Sequence, residues 1–253
     1  FYPNNSENNT AQKSKTYKGH NESVSPNHSL GKKTIHNKAP SHDHHNHKNL
    51  DFPRGREGRP LESPFSNSRI GKMLDKHVST IEILGPDAEK HYQESLIELR
   101  RHKDEAIEEL WSAYQNIETE RYKERQQIVE TLREIGTIKS FPALSEIATS
   151  KIPSEKYPDP HMGSTQMEEG IIRLTAIEGL GKLSKDGHND SNEILMQIIS
   201  TSENNLALKR QAVREYLLSS EDSAILDDRK GKLKNVLPKN EHHIITEKID
   251  QPE

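Results

Sequence analysis

Apolar positions recur at helical spacing along most of the chain after residue 68 and scarcely at all before it. Between Asp87 and Ile135 there is neither Gly nor Pro, and the apolar positions advance in alternating steps of four and three, with Lys103 in the one missing step. These positions are Tyr92, Leu96, Leu99, Ala106, Leu110, Ala113 and Ile117. The pattern predicts either one long coiled-coil helix or two helices that turn between His102 and Asp104, with Asp104 as the N-cap of the second.

The same periodicity, together with glycine and proline at the ends, predicts further helices on both sides of this segment. A short amphipathic helix precedes it, with Ile70, Leu74, Val78 and Ile81 on one face, and Pro86 suits the first turn of the helix after that. Later helices are predicted over residues 121–135, 141–148, 168–183, 192–199, 206–218 and 225–236, and Ile244, Ile245 and Ile249 indicate a final short one. Gly136 and Pro238 end two of these helices, and a proline-rich loop spans 150–166.

Three of the predicted helices share one local pattern: a basic residue, an aliphatic or small residue three positions later, and a large apolar residue four positions after that. The three sets are Arg125, Ile128 and Leu132; Arg173, Ala176 and Leu180; and Lys209, Ala212 and Tyr216. The second set follows the first by 48 positions and the third follows the second by 36, and the longer interval contains the proline-rich loop. Such intervals are typical of stacked helical pairs, and Leu132 and Leu180 should lie in their core.

The segments IRLTAIEGLG (172–181) and LKRQAVR (208–214) resemble HEAT repeats, and most closely the short variety of phycobilisome-lyase-type HEAT proteins. The resemblance covers about residues 86–238. It implies antiparallel helix pairs stacked into an α-solenoid that binds protein or peptide along one exposed helical surface. The lyase activity of that family is not expected here, because no lyase site motif is visible in this sequence.

We therefore expect an all-α chain, a short HEAT-like α-solenoid of three to four helical hairpins after a disordered N-terminal tail. Its parts are a His/Asn/Ser-rich tether (1–66), a short amphipathic helix or linker (67–85), the helical repeat domain (86–238) and a C-terminal tail (239–253). Three departures from the repeat pattern leave the number of hairpins open. The first hairpin lacks a glycine turn, the loop at 150–167 is longer than usual, and Gly231 lies inside the last helix, which should therefore be short or bent.

Composition supports a chain that is only partly folded. Hydrophobic residues make up 30% of the sequence and charged residues another 30%, and so polar a chain cannot bury apolar surface everywhere. The tail holds a histidine tract with His42, His44, His45 and His47. Neutral imidazoles are good ligands for zinc and copper, so weak metal binding by the tract is the alternative function that we consider. No other cofactor is expected.

Charge and residue usage exclude several classes of function. A formal net charge of −4 disfavours a broad nucleic-acid surface. The chain has no cysteine, which excludes disulfides and thiolate zinc sites, and no stretch approaches the roughly 20 apolar residues of a membrane span. The chain begins at Phe1, so we expect an exported chain that has lost a signal peptide or a membrane tether, placing it in the periplasm or outside the cell. A cytoplasmic chain trimmed at its start is the alternative.

Catalysis has little support in the sequence. It contains no His-Glu helix pair, no Gly-x-Ser-x-Gly elbow and no phosphate-binding Gly-Lys-Ser/Thr loop. The acid pairs Glu108-Glu109 and Glu168-Glu169 lie in charge-rich predicted helices, where a solvated face is the simpler explanation. We do not expect an enzyme.

The sequence favours a non-catalytic scaffold or adaptor that binds another protein or peptide. Candidate contact residues in the proline-rich loop are Tyr157, Pro158, His161 and Met162, because prolines pre-order a binding segment. Arg173, Lys209, Arg210 and Arg214 are predicted to be exposed on helices and to face the partner. Trp111 and Tyr114 follow the apolar stripe and are predicted to be core, or interface anchors if exposed. A third hypothesis, a coiled-coil assembly through residues 86–135, leaves the oligomeric state open.

Overall fold

The computed structural model describes residues 62–81, 84–156, 164–201 and 205–246, and within these ranges all regular structure is helical. The helices are α1 (Arg69–Ile81), α2 (Ala88–Arg101), α3 (Lys103–Asn116), α4 (Tyr122–Ile135), α5 (Phe141–Thr149), α6 (Thr165–Lys185), α7 (Asn189–Ser200), α8 (Leu206–Leu218), α9 (Ser223–Val236) and α10 (His243–Thr246). One-turn 3-10 helices lie at Ile138–Ser140 and Lys239–Glu241. The all-α prediction is therefore confirmed for the described residues.

Helix boundaries follow the local chemistry of their end residues. Gly136 ends α4 with φ 57°, the left-handed conformation that glycine adopts at no steric cost. Asn205 begins α8 by accepting a hydrogen bond from the Leu208 backbone N–H at 2.9 Å, as an N-cap should. Gly231 lies within α9, which continues over 14 residues without a break, so of the two expectations for this helix, short or bent, the short one is wrong.

The segment between Asp87 and Ile135 holds three helices, and a single non-helical residue, His102, separates α2 from α3. The two-helix alternative is therefore confirmed over the single long helix. The N-cap of α3 is His102, so the prediction for Asp104 was two residues late. Asp104 lies in the first turn of α3, where a carboxylate interacts favourably with the helix dipole, and it pairs with Lys139 at 2.8 Å.

Helix α6 is the centre of the packing, with α4 on one side and α8 on the other, while α5 and α7 pack against α6 and against each other. Three contacts join α4 to α6: Arg125 with Glu169, Arg133 with Glu178, and Glu134 with Lys182, pairs separated by 44, 45 and 48 positions. The two helices therefore run parallel. Leu132 and Leu180 are fully buried (0% exposed), which confirms both as core residues.

The two ends of the described chain are covered in different ways. At the N-terminal end Phe65 is buried against the helices. The packed unit therefore includes residue 65, which the sequence had assigned to the tether (1–66). At the C-terminal end α9 buries only Leu233 fully and turns a polar side to solvent. Ile244 and Ile245 of α10 are buried, which confirms the final short helix; Ile249 lies outside the described residues.

Candidate interaction face

Two sets of predicted site residues fall outside the part of the chain that the structure describes. Tyr157, Pro158, His161 and Met162 lie in the undescribed segment 157–163, and His42, His44, His45 and His47 lie in 1–61. Within the described ranges, no group of three or more His, Asp or Glu side chains is placed to hold a metal ion. The binding roles predicted for these eight residues therefore stay predictions.

Arg173 is buried at 3% exposure, so the prediction that this side chain is exposed is wrong. Its guanidinium donates hydrogen bonds to the carbonyl oxygens of Ser150 and Lys151, both at 2.8 Å, and to the Glu169 carboxylate at 2.6 Å. A planar guanidinium with five donors suits such convergent acceptors. Arg173 therefore fixes the start of the proline-rich loop to α6.

Glu169 is the acceptor between two arginines in the same buried network. Arg125, reaching over from α4, pairs with Glu169 and also donates to the Tyr114 hydroxyl at 2.8 Å. Burial alone would raise the pKa of Glu169, but the hydrogen bonds and charges of Arg125 and Arg173 lower it below its usual value. The network ties α3, α4, α6 and the loop together, and it explains why Tyr114 is half-buried rather than free for docking.

The described part of the proline-rich loop is held at two further points. The Glu155 carboxylate accepts hydrogen bonds from the Thr165 backbone N–H at 2.9 Å and from the Ser164 hydroxyl at 2.5 Å, so it occupies the N-terminus of α6. Lys156 pairs with Glu120 at 2.6 Å. Beside this loop lies a cleft of about 300 Å³, lined by Thr149, Ser150, Lys151, Ile152, Gln166, Thr201, Asn205 and Leu208.

The three basic residues predicted on α8 separate into one buried and two accessible side chains. Lys209 is buried at 5% exposure and pairs with Glu241 at 3.1 Å, so its predicted exposure is also wrong. Arg210 is exposed and Arg214 is half-buried. Lys209 anchors the C-terminal segment to α8, while Arg210 and Arg214 remain candidates for partner contact.

A line of partly exposed residues runs along the outer side of α6. Ile171, Leu174 and Glu178 are each half-buried and follow one another at helical spacing, and the exposed Lys182 continues the line. Leu174 packs against the core from its edge. Because α6 already buries Ile172, Ile177 and Leu180 on its other side, Ile171 and Leu174 form a second apolar surface.

Charged side chains from both neighbouring helices border this line. From α4, Arg133 donates to Glu178 at 2.5 Å and pairs with Glu130 at 3.3 Å. From α8, Glu215 lies against Gly181, and the charges of Glu178 and Arg214 act on its carboxyl group. We call this surface the interaction face and define it as Glu130, Arg133, Ile171, Leu174, Glu178, Arg214 and Glu215.

Glu215 occupies the seam between α6 and α8 at one end of the interaction face. It lies over Gly181 so closely that a Cβ at position 181 would overlap with its carboxylate. Burial raises the pKa of Glu215 to about 7, and the Glu178 carboxylate adds to that rise against the opposing effect of Arg214. The face thus contains a carboxyl group that titrates near neutral pH.

His77 is a second unusual titrating group, at the interface of α1 and α2. The Ser95 hydroxyl donates to the Tyr92 carbonyl at 2.7 Å, so the 2.7 Å contact between His77 Nδ1 and Ser95 Oγ needs Nδ1 as the donor. Nε2 is then an unprotonated acceptor, buried and with no hydrogen-bond partner among the described residues. Burial lowers the pKa of His77 to about 4, against a smaller opposing effect of Glu134.

Sequence reasoning missed Ile171 and Leu174 because it assumed one apolar stripe for each helix. The signal was present, since Ile171, Ile172, Leu174, Ile177 and Leu180 together surround α6 on more than one side. Trp111 and Tyr114 are half-buried and pack against the core, and their rings stack with centroids 5.8 Å apart. They are therefore neither fully buried core residues nor fully exposed anchors, the two alternatives that the sequence left open.

No family model, no curated protein and no solved structure matches this chain. None of the helices in the described ranges combines the length and the apolar character that crossing a bilayer requires.

Proposed function

We propose that this chain is a non-catalytic protein-interaction scaffold, built as a short HEAT-like α-solenoid, that binds a partner protein or peptide on the interaction face. The observation that carries the proposal is the half-exposed pair Ile171 and Leu174 in the middle of α6, bordered by charged side chains on α4 and α8. An apolar centre within a polar rim is typical of protein interfaces.

The stacked arrangement is supported by the internal order of the helices. Helices α4, α6 and α8 follow one another as neighbours and carry the same basic, aliphatic, large-apolar pattern, and α5 and α7 pack beside them. The polar outer side of α9 suits the end of such a stack. In this arrangement one row of parallel helices presents the interaction face as a continuous surface.

Site-specific crosslinking tests the scaffold directly. A photoreactive amino acid at position 174 should capture a partner in cells of the native host, whereas the same group at Ile225, an exposed apolar residue on α9 (45% exposed), should not. Equal capture from both positions, or none from position 174, would remove the interaction face as the docking surface.

The tail and the compartment belong to the same proposal. The hydrophilic residues 1–61 would act as a tether that holds the helical unit at a distance from a membrane or an assembly outside the cytoplasm. Deleting residues 1–61, and so keeping the buried Phe65, should leave partner capture at position 174 intact.

A second candidate function rests on the histidine tract alone. His42, His44, His45 and His47 fall within six residues, and so dense a set of imidazoles can bind zinc or copper without a preformed site. Zinc titration of the full chain by calorimetry at neutral pH tests this proposal. Binding that disappears when these four histidines become alanine supports it, and no binding by the unaltered chain contradicts it.

A further inference from the structure

Residues 62–81, which include α1, are attached to the helical unit mainly through α2 and α3. Phe65 and Leu74 are buried in this attachment, and α1 packs mainly on these two helices. Its polar contacts with α3 lie at the surface, where the Ser66 backbone N–H donates to the Glu109 carboxylate at 2.6 Å. Apolar burial against α2 and α3 therefore carries most of the attachment.

A fully buried histidine of α1 lies within this attachment. His77 is 0% exposed, its ring centroid lies 5.1 Å from that of Tyr92, and its Nδ1 donates to the Ser95 hydroxyl at 2.7 Å. Its Nε2 is buried and meets no hydrogen-bond partner within the ranges that the structure describes. A neutral ring leaves this nitrogen unprotonated, whereas a proton there would be an unpaired donor on a buried charge.

The charged and titratable groups around His77 do not compensate such a charge. From α2, burial raises the pKa of Tyr92 to about 12, so its phenol is neutral. From its own helix, Thr80 donates to the His77 carbonyl at 2.6 Å, and Glu109 of α3 accepts from the chain before α1. The Glu134 carboxylate of α4 favours the protonated ring, but burial outweighs it and lowers the pKa of His77 to about 4.

A second histidine at the same attachment also requires an unprotonated nitrogen. Arg69 begins α1, and its guanidinium lies 3.4 Å from Nε2 of His102, the residue between α2 and α3. Because a guanidinium has only donors, this Nε2 must be the acceptor. A protonated His102 would instead place a second positive charge against Arg69. Protonation of either histidine therefore opposes the docking of α1.

We propose that His77 is an acid-sensitive latch, whose protonation releases residues 62–81 from α2 and α3 and uncovers apolar surface while the helices from α4 to α8 stay folded. Protonation of His102 acts in the same direction, because it opposes Arg69. The released segment directly follows residues 1–61 in the chain. Acid therefore loosens the attachment of the predicted tether and leaves the interaction face in place.

The pH range of the latch follows from the two states of the His77 ring. In the released segment the ring is solvated and has its ordinary pKa of 6.5, whereas in the docked segment its pKa is about 4. The docked state therefore binds fewer protons between these values, and docking weakens as the pH falls from 6.5 toward 4. For His77 alone, the ratio of released to docked chains rises roughly thirtyfold between pH 7.5 and pH 5.

Native-state hydrogen exchange of the full chain at these two pH values tests the latch. Protection factors, which correct for the intrinsic effect of pH on exchange, should fall in α1 by at least the factor given for His77 and far less in α8. A fall of equal size in α1 and α8 would mean acid unfolding of the whole helical unit and would overturn the latch. Unchanged protection in α1 would overturn it as well.

A matched pair of variants assigns the effect to His77. His77→Gln keeps a neutral hydrogen-bond donor toward Ser95 and should remove most of the fall in α1. His91→Gln makes the same change at an exposed histidine of α2 and should keep the whole fall. A fall in His77→Gln as large as in the unaltered chain would overturn the assignment to this residue.

An NMR titration of the unaltered chain decides the question if His77→Gln does not fold. The signals of the His77 ring and of the α1 amides should change together as the pH falls toward 4, and a ring that titrates while α1 stays unchanged would contradict the latch. These measurements need no partner. Failure of the latch therefore leaves the proposed function standing, and loss of the crosslink at position 174 leaves the latch standing.

Discussion

At the scale of single residues, His77 and Glu215 shift the stability of the protein with pH in opposite directions. The pKa of His77 is about 4 in the folded chain against an ordinary 6.5, so the folded state binds fewer protons than the unfolded chain between these values. Its contribution to stability is lost as the pH falls from 6.5 to 4. The pKa of Glu215 is about 7 against an ordinary 4.5, so its contribution is lost as the pH rises from 4.5 through 7.

When one of the two groups is removed, the dependence of the free energy of unfolding on pH should be that of the group that remains. Relative to the unaltered chain, Glu215→Gln should gain stability toward pH 7.5, and His77→Gln should gain stability toward pH 4.5. Shifts of this size correspond to on the order of 3 kcal/mol at most for each group. Urea denaturation across this pH range checks both, and two variants whose stabilities follow the unaltered chain in parallel would contradict the assignment.

Two glycines of α6 should respond in opposite ways to the same substitution. A Cβ at Gly181 would lie 2.7 Å from the Cβ of Glu215 and still closer to its carboxylate, while a Cβ at Gly170 would meet nothing within 4 Å. Gly181→Ala should therefore destabilise the protein by about 1–3 kcal/mol. Gly170→Ala should stabilise it by about 0.5–1 kcal/mol, because alanine favours a helix interior. Equal effects in denaturation experiments would show that α6 and α8 do not meet at Gly181.

At the scale of elements, helices could be predicted from the sequence where their ends are marked and were less certain where they are not. Gly136 and Asn205 mark their helix ends by backbone conformation and side-chain capping, and the predicted 206–218 agrees with α8. The break at His102 has no glycine or proline, so the sequence could not choose between one helix and two. Local chemistry decides ends, whereas tertiary packing decides whether a continuous stripe bends.

Exposure of basic residues could not be predicted from the same pattern. Arg173 and Lys209 occupy equivalent positions in the repeated motif and were expected on the surface, yet both are buried. Their acceptors come from distant segments: the Ser150 and Lys151 carbonyls for Arg173, and the Glu241 carboxylate for Lys209. A buried cation depends on partners brought close by the fold, and no spacing within one helix identifies them. The interaction face had to be found from the coordinates for the same reason.

Arg173 should control the order of the loop that it holds. Arg173→Met removes the donors to the Ser150 and Lys151 carbonyls, although Glu169 keeps its pair with Arg125. The expected loss of stability is about 2–3 kcal/mol, because two carbonyl oxygens lose their hydrogen-bond donor while the Glu169 carboxylate keeps one. Hydrogen exchange should also speed up in residues 150–156. Arg210→Met, an exposed control, should do neither; unchanged exchange in the loop would contradict the anchoring role.

At the scale of the whole molecule, the number of helices that pack against a given helix should decide how far a local defect spreads. Leu180 in α6 and Leu74 in α1 are both fully buried leucines. Helix α6 packs against four of its neighbours, α4, α5, α7 and α8, whereas α1 lies at one end and packs mainly on α2 and α3. In a stack where each element contacts only its neighbours, stability is a sum of local and interface contributions.

Leu180→Ala should therefore weaken α6 and the helices that pack against it, and Leu74→Ala only the first part of the helical unit. Each substitution leaves a cavity and costs about 2–5 kcal/mol. The cost for Leu180→Ala falls on the unfolding of the helices around α6, whereas the cost for Leu74→Ala falls on the local unfolding of α1 and α2. Native-state hydrogen exchange should show reduced protection in α4, α6 and α8 for Leu180→Ala, and in α1 and α2 alone for Leu74→Ala. The exposed Ile138→Ala, at 65% exposure, is the control and should leave all helices unchanged. If Leu74→Ala lowered protection in α8 as much as Leu180→Ala does, the helices would unfold as one indivisible unit, and the stacked arrangement proposed for this chain would lose its energetic basis.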